Sequence, residues 1–147
     1  MQSLLDERDI SHQLSRFVRI LDKRTWDKLS DMFAEDVRFD YAEGVEHQGL
    51  GVMRDRIVGF LENCGPTQHL LGSAIIEVTG DTAVSRVYVQ ARHQGLGERK
   101  DLHFDANGEY IDEWERKETG WKIVRRVAIN MISKGDPHAM GSSQTIN

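Results

Sequence analysis

Two histidines, one aspartate and one tyrosine have the types and positions needed to move a proton. Gly80-Asp81 is a compact turn signal, and His69 and His93 lie about equally far from it on the two flanking β-patterned runs. Alternation puts His93 on one side with Val87, Val89 and Ala91, and His69 on one side with Leu71, Ser73 and Ile75. Two imidazoles near neighbouring strand ends, facing one core, form a candidate proton-transfer site, because imidazole gains and loses a proton near neutral pH. Asp22 follows Leu21 at the end of an apolar helical stripe, where a carboxylate can reach the core side and accept from an imidazole N–H. That bond fixes the tautomer and favours the imidazolium formed when the ring takes a proton. Tyr41, ending a short strand pattern, adds a phenol able to donate to a carbonyl or a leaving hydroxyl.

Each of these residues also has an ordinary structural use. A strand histidine is most often a satisfied core or interface residue, an Asp before a helix most often caps it, and Tyr41 fits a core position. A metal set of His69, His93 and Asp22 has no HxH or HExxH spacing behind it. Residues 105–109 form a turn rather than a calcium loop, since the ligand ladder is incomplete. His12, His47, His103 and His138 occupy polar, solvated contexts, Gly95-Leu96-Gly97 is too short for a phosphate loop, and no nucleophile elbow occurs.

The elements that must position these groups follow from periodicity. Ile10, Leu14, Phe17 and Leu21 predict a first helix, with Ser3 and Asp6 spaced as a capping box. Thr25 opens a second helix carrying Trp26, Leu29 and Phe33. Val37 to Tyr41 and Val45 to Gln48 read as short paired strands, and Met53, Ile57, Phe60 and Leu61 as a third helix ending before Gly65-Pro66. Four long β runs follow, at 68–79, 82–94, 104–117 and 121–133, joined as hairpins across 80–81 and 118–120. Helices first and an antiparallel meander afterwards predict an α+β fold, with helices laid on one face of a curved sheet.

Composition sets the outer bounds. The 147 residues suit one domain, residues 1–134, followed by a polar tail at 135–147 expected to be mobile or docked on a neighbour. A net charge of −5 with no basic run argues against nucleic acid or an anionic membrane as partner. No apolar run reaches membrane length, the first residues lack a secretory pattern, and a single cysteine, Cys64, cannot form an internal disulfide. A cytoplasmic protein is expected.

Leu21-Asp22-Lys23-Arg24-Thr25-Trp26-Asp27, Phe39-Asp40-Tyr41, Thr67-Gln68-His69-Leu70-Leu71-Gly72, Arg92-His93-Gln94 and Gly120-Trp121-Lys122 together resemble one family. The chain is similar to the SnoaL-like branch of the nuclear transport factor two-like superfamily, and within it to scytalone dehydratases and hexachlorocyclohexane dehydrochlorinases, over roughly residues 6–134. The resemblance implies a cone-shaped α+β barrel with three N-terminal helices packed on a strongly curved, mostly antiparallel sheet. It makes Asp22 and His69 the catalytic pair, with Tyr41 and His93 completing the acid–base set. The dehydrochlorinase arginine on the last strand falls on Arg125 or Arg126, and only Arg125 shares parity with Ile123, Val127 and Ile129; Tyr110 falls on a substrate-contacting strand position.

The implied activity is a cofactor-independent, metal-free lyase that eliminates water from a small hydrophobic cyclic or polyketide-like molecule. An isomerase or cyclase of ketosteroid isomerase type, and a non-catalytic small-molecule binding protein, are the alternatives. Product mass separates the first from elimination, and an open cavity beside the Asp–His pair argues against the second. Leu21 stands where scytalone dehydratases carry a tyrosine, which argues against scytalone itself. A homo-oligomer is expected, trimer before dimer.

Overall fold

A computed structural model describes residues 1–141. Helix α1 spans Gln2–Lys23, and a six-residue 3-10 helix, Trp26–Asp31, follows it. Strands β1 (Phe33–Tyr41) and β2 (His47–Gln48) precede helix α2 (Leu50–Leu61). Four long strands come next: β3 (Cys64–Thr79), β4 (Thr82–Gly95), β5 (His103–Lys117) and β6 (Gly120–Gly135). They form one six-stranded sheet in the order β2-β1-β6-β5-β4-β3, antiparallel except where β1 runs parallel to β6. The α+β class and curved sheet match the sequence expectation, but the three helices are not all N-terminal. The second is a short 3-10 turn, and α2 enters only after β1 and β2.

The apolar stripe of α1 works as its spacing predicts: Ile10, Leu14, Phe17 and Leu21 are all buried against the sheet. The expected capping box does not form. The helix begins at Gln2 with no side-chain cap, and Asp6 turns inward. There it accepts from Arg116 Nη1 at 2.8 Å and Nη2 at 2.9 Å, and from the Trp121 indole at 3.2 Å. A buried carboxylate needs such partners, and here they tie α1 to the β5–β6 hairpin.

Strand β3 begins earlier than its pattern suggested, and Pro66 lies inside it. β3 is an edge strand paired only with β4, so the missing N–H of Pro66 leaves no neighbour unsatisfied. Strand β6 pairs with β5 through two irregularities. Glu113 faces Arg125 but Trp114 faces Ile123, so Val124 is an extra residue that reverses the alternation. Arg126, rather than Arg125, therefore shares the inner face with Ile123 and Ala128. A second extra residue, Met131, lies opposite Gly108, where an added Cβ would overlap the Ile129 carbonyl.

The tail expected from Gly135 starts instead as part of the fold. Gly135 still pairs with Phe104, and Pro137–Met140 forms a 3-10 turn whose Ala139 and Met140 are buried. The Cys64 thiol meets the Ala139 carbonyl at 3.8 Å and helps hold that turn against β3. Residues 142–147 lie outside the described residues. Among the described residues, no helix is long and apolar enough to cross a membrane.

Candidate active site

The concave side of the sheet, closed by α1, α2 and the 137–140 turn, encloses a cavity of about 200 Å³. Apolar side chains make most of its wall, including Phe17, Leu21, Ile57, Phe60, Val89 and Met140. His69, His93, Tyr41, Tyr110, Asn107 and Asn130 supply the polar groups. A small, mainly apolar cavity with few convergent polar groups suits a compact, uncharged ligand.

His93 arrives by the predicted parity, and His69 shares its inner face with Leu71 but not with Ile75. One extra residue at Ser73–Ala74 reverses β3 beyond Gly72, so Ile76 and Val78 pack inward and Ile75 is exposed. β3 and β4 pair with His69 opposite Ala91 and Thr67 opposite His93, so the two histidines are diagonal neighbours on the inner face. Their ring centroids lie 5.7 Å apart, nearly perpendicular. Both rings are buried, at 7% and 4% exposure.

Asp22 lies in the last turn of α1, beside β3. Its Oδ1 accepts from His69 Nδ1 at 2.7 Å and from the Thr67 hydroxyl at 2.9 Å, while Oδ2 accepts from the His69 backbone N–H at 3.0 Å. Burial pushes this carboxyl up, but the bonds from the His69 ring, the His69 backbone and Thr67 outweigh it, and Asp22 is held below its ordinary value. An ionised carboxylate can only accept, so Nδ1 carries the ring proton and Nε2 is the nitrogen left for a ligand.

His93 is fixed differently. Its Nδ1 donates to the Phe104 carbonyl at 2.9 Å, again leaving Nε2 as an acceptor. Burial pulls this ring down further than the carbonyl bond raises it, and His69 and Arg24 add to the fall. His93 is therefore neutral at neutral pH, and its Nε2 accepts a hydrogen bond rather than donating one.

Tyr41 is the donor. Its hydroxyl accepts from Arg126 Nη1 at 3.3 Å, which leaves the phenolic proton free to point at a ligand. Burial raises this phenol, the Arg126 charge only partly offsets that, and Tyr41 stays protonated. Arg126 and Asp112 form a fully buried pair with contacts of 2.7 and 2.8 Å, and the guanidinium lies over the Phe17 and Tyr110 rings, 4.2 Å from each centroid. Desolvation opposes that charge, but Asp112 more than compensates, and Arg126 is raised above its ordinary value.

Four of the six residues singled out in the sequence as site residues (Asp22, His69, Tyr41 and His93) converge here, and Tyr110 lines the cavity as well. Arg125 does not. It is on the outer side, bonded to Glu46 at 2.8 Å and Glu113 at 3.1 Å, because the Val124 bulge reversed its parity. The buried Asp112 and the half-buried Thr67 and Arg24 were not singled out. Alternation on β5 (Phe104, Ala106, Gly108, Tyr110, Asp112, Trp114) already placed an acid on the inner face, which requires an inward cation. His47, expected to be solvated, stacks on Phe39 with centroids 5.4 Å apart. Among the described residues, no three His, Cys, Asp or Glu side chains are grouped to hold a metal ion.

Residues 2–127 match the sequence profile of the SnoaL-like domain. The chain belongs to that family. An uncharacterized protein of Mycobacterium tuberculosis is 30% identical over 130 residues, 88% of each chain. A provisionally named scytalone dehydratase of Novosphingobium aromaticivorans superposes with a TM-score of 0.81 at 23% identity, covering 90% of this chain and 88% of the other. A hexachlorocyclohexane dehydrochlorinase of Novosphingobium barchaimii gives a TM-score of 0.78 at 16% identity, over 90% and 91% of the two chains. At these identities the two structures share the SnoaL-like fold with this chain, and dehydratases and dehydrochlorinases are among its structural neighbours.

Proposed function

We propose that this protein is a lyase that eliminates water from a small, uncharged cyclic hydroxycarbonyl compound by general acid–base catalysis. The observation that carries the proposal is the 2.7 Å Asp22–His69 contact at the wall of an otherwise apolar cavity. His69 Nε2 removes the proton alpha to the carbonyl, and Asp22 stabilises the imidazolium that forms. Tyr41 donates to the carbonyl oxygen as negative charge develops there, and Arg126 behind it strengthens that donation. Neutral His93 accepts from the hydroxyl that will leave and orients it. The proton held on His69 then passes to the departing oxygen, so the site ends the cycle as it began.

The absence of an unpaired cation in the cavity wall supports an uncharged substrate: among the described residues, Arg126 is matched by Asp112. Dehydratase and dehydrochlorinase names among the structural neighbours support elimination as the reaction class. Self-association belongs to the proposal too, since Tyr88, Met131 and Ile132 are exposed apolar side chains that further copies would cover. The test is a panel of cyclic β-hydroxyketones followed by mass spectrometry. Loss of one water, dependent on His69, supports elimination; an isomer of unchanged mass contradicts it.

A further inference from the structure

Arg24 occupies a backbone position that its side chain makes costly. The Arg24 and Thr25 amides close the end of α1 on the Leu21 and Ile20 carbonyls, the pattern in which a left-handed residue, usually glycine, ends a helix. Arg24 adopts that conformation at φ 60° and ψ 31°, where a Cβ is disfavoured. Its guanidinium makes three hydrogen bonds: Nη1 donates to the Leu21 carbonyl at 2.6 Å and to Thr67 Oγ1 at 2.8 Å, and Nη2 to the Gly65 carbonyl at 2.9 Å.

These bonds decide where the Thr67 proton goes. A hydroxyl has one proton to give, and its oxygen already receives Arg24. The Thr67 proton is thereby committed to Asp22 Oδ1, 2.9 Å away, the same oxygen that holds the His69 ring. Asp22 needs that help, because it lies in the last helical turn, where the helix dipole disfavours a carboxylate.

We propose that Arg24 is a positioning residue for the Asp22–His69 pair, acting through the Thr67 hydroxyl to fix the carboxylate that orients the imidazole. It rests on the reading of that pair as the reacting groups. The chain Arg24–Thr67–Asp22–His69 joins the end of α1 to β3 and reaches the cavity without Arg24 touching it.

The test is a carboxylate NMR titration of Asp22 in the wild type, Arg24→Gly, Thr67→Val and the double variant. Glycine suits the left-handed position, so Arg24→Gly removes the side chain without adding backbone strain. Both single variants are expected to raise the Asp22 midpoint, and the double variant to match Thr67→Val. An unchanged midpoint in Arg24→Gly, or additive shifts in the double variant, overturns the proposal, since either means that Arg24 does not act through Thr67. With a substrate in hand, Arg24→Gly should lower kcat roughly 10–100-fold with KM little changed, as misplacement of a reacting group does. An Asp22→Asn variant with wild-type turnover would defeat the dyad reading separately, and the titration would still judge Arg24.

Discussion

Asp112→Asn tests the buried charge beneath the cavity. The substitution keeps the shape of the side chain but removes its charge and presents an amide N–H₂ to a guanidinium that only donates. Both partners are at 0% side-chain exposure, so no water can replace the lost acceptor. Breaking a buried pair from one side typically costs about 3–5 kcal/mol. Arg126 keeps the Tyr41 oxygen at 3.3 Å and ring faces at 4.2, 4.2 and 5.1 Å. Those retained contacts place the expected loss at the lower end, about 3 kcal/mol. For a domain of this size that is roughly 6–12 °C in Tm, and a large share of a typical stability of about 5–15 kcal/mol. Urea unfolding should show the midpoint moved and the slope unchanged. Replacing both partners, Asp112→Leu with Arg126→Met, should recover most of the stability while leaving Tyr41 without its supporting donor. An Asp112→Asn variant within about 0.5 kcal/mol of wild type, the scatter of ordinary surface changes, would refute this account of an enclosed charge.

Other substitutions probe the site and its supports. Tyr41→Phe removes the proposed donor to the developing oxyanion and should cut kcat about 10²–10³-fold with little change in KM, measured by steady-state kinetics. His93 is held below the ordinary histidine value of about 6.5, so the unfolded chain takes up that proton first as pH falls. Stability should therefore decline as pH drops through about 6.5, and His93→Gln should flatten that part of a urea-midpoint profile. Asp6 is held well below the usual carboxylate range, chiefly by Arg116 against the opposing effect of burial, with Trp121 adding to it. Its contribution is complete above the unfolded carboxylate value of about 3.9 and is lost on acidification below it. Asp6→Asn should lower the neutral-pH midpoint and weaken its fall toward acid pH.

The sequence made the sheet legible because alternation survives in strands with one buried face. Val87, Val89, Ala91 and His93 all point inward as their period requires. Asp22, His69, Tyr41 and His93 could thus be drawn together from parity and family resemblance. Arg125 could not be judged correctly, because a single extra residue at Val124 reverses the positions that follow it, as far as the second extra residue at Met131, and carries no local sign in composition. Asp6 looked like a helix cap because its true partners, Arg116 and Trp121, lie more than a hundred residues away. Pro66 looked like a break, and only the edge position of β3 makes it harmless. Arg24 entered only as a member of the Leu21–Asp27 motif, since its place depends on a left-handed turn that glycine more often occupies.

The central claim is that His69, oriented by Asp22, removes a proton from carbon inside the cavity. Its most direct test is deuterium exchange at the carbon alpha to the carbonyl of cyclic ketones incubated with the protein in heavy water, comparing wild type with His69→Ala. The account expects exchange catalysed by the wild type and lowered about 10²–10⁴-fold by the substitution in a folded protein. Exchange that proceeds at the wild-type rate without the imidazole would contradict it.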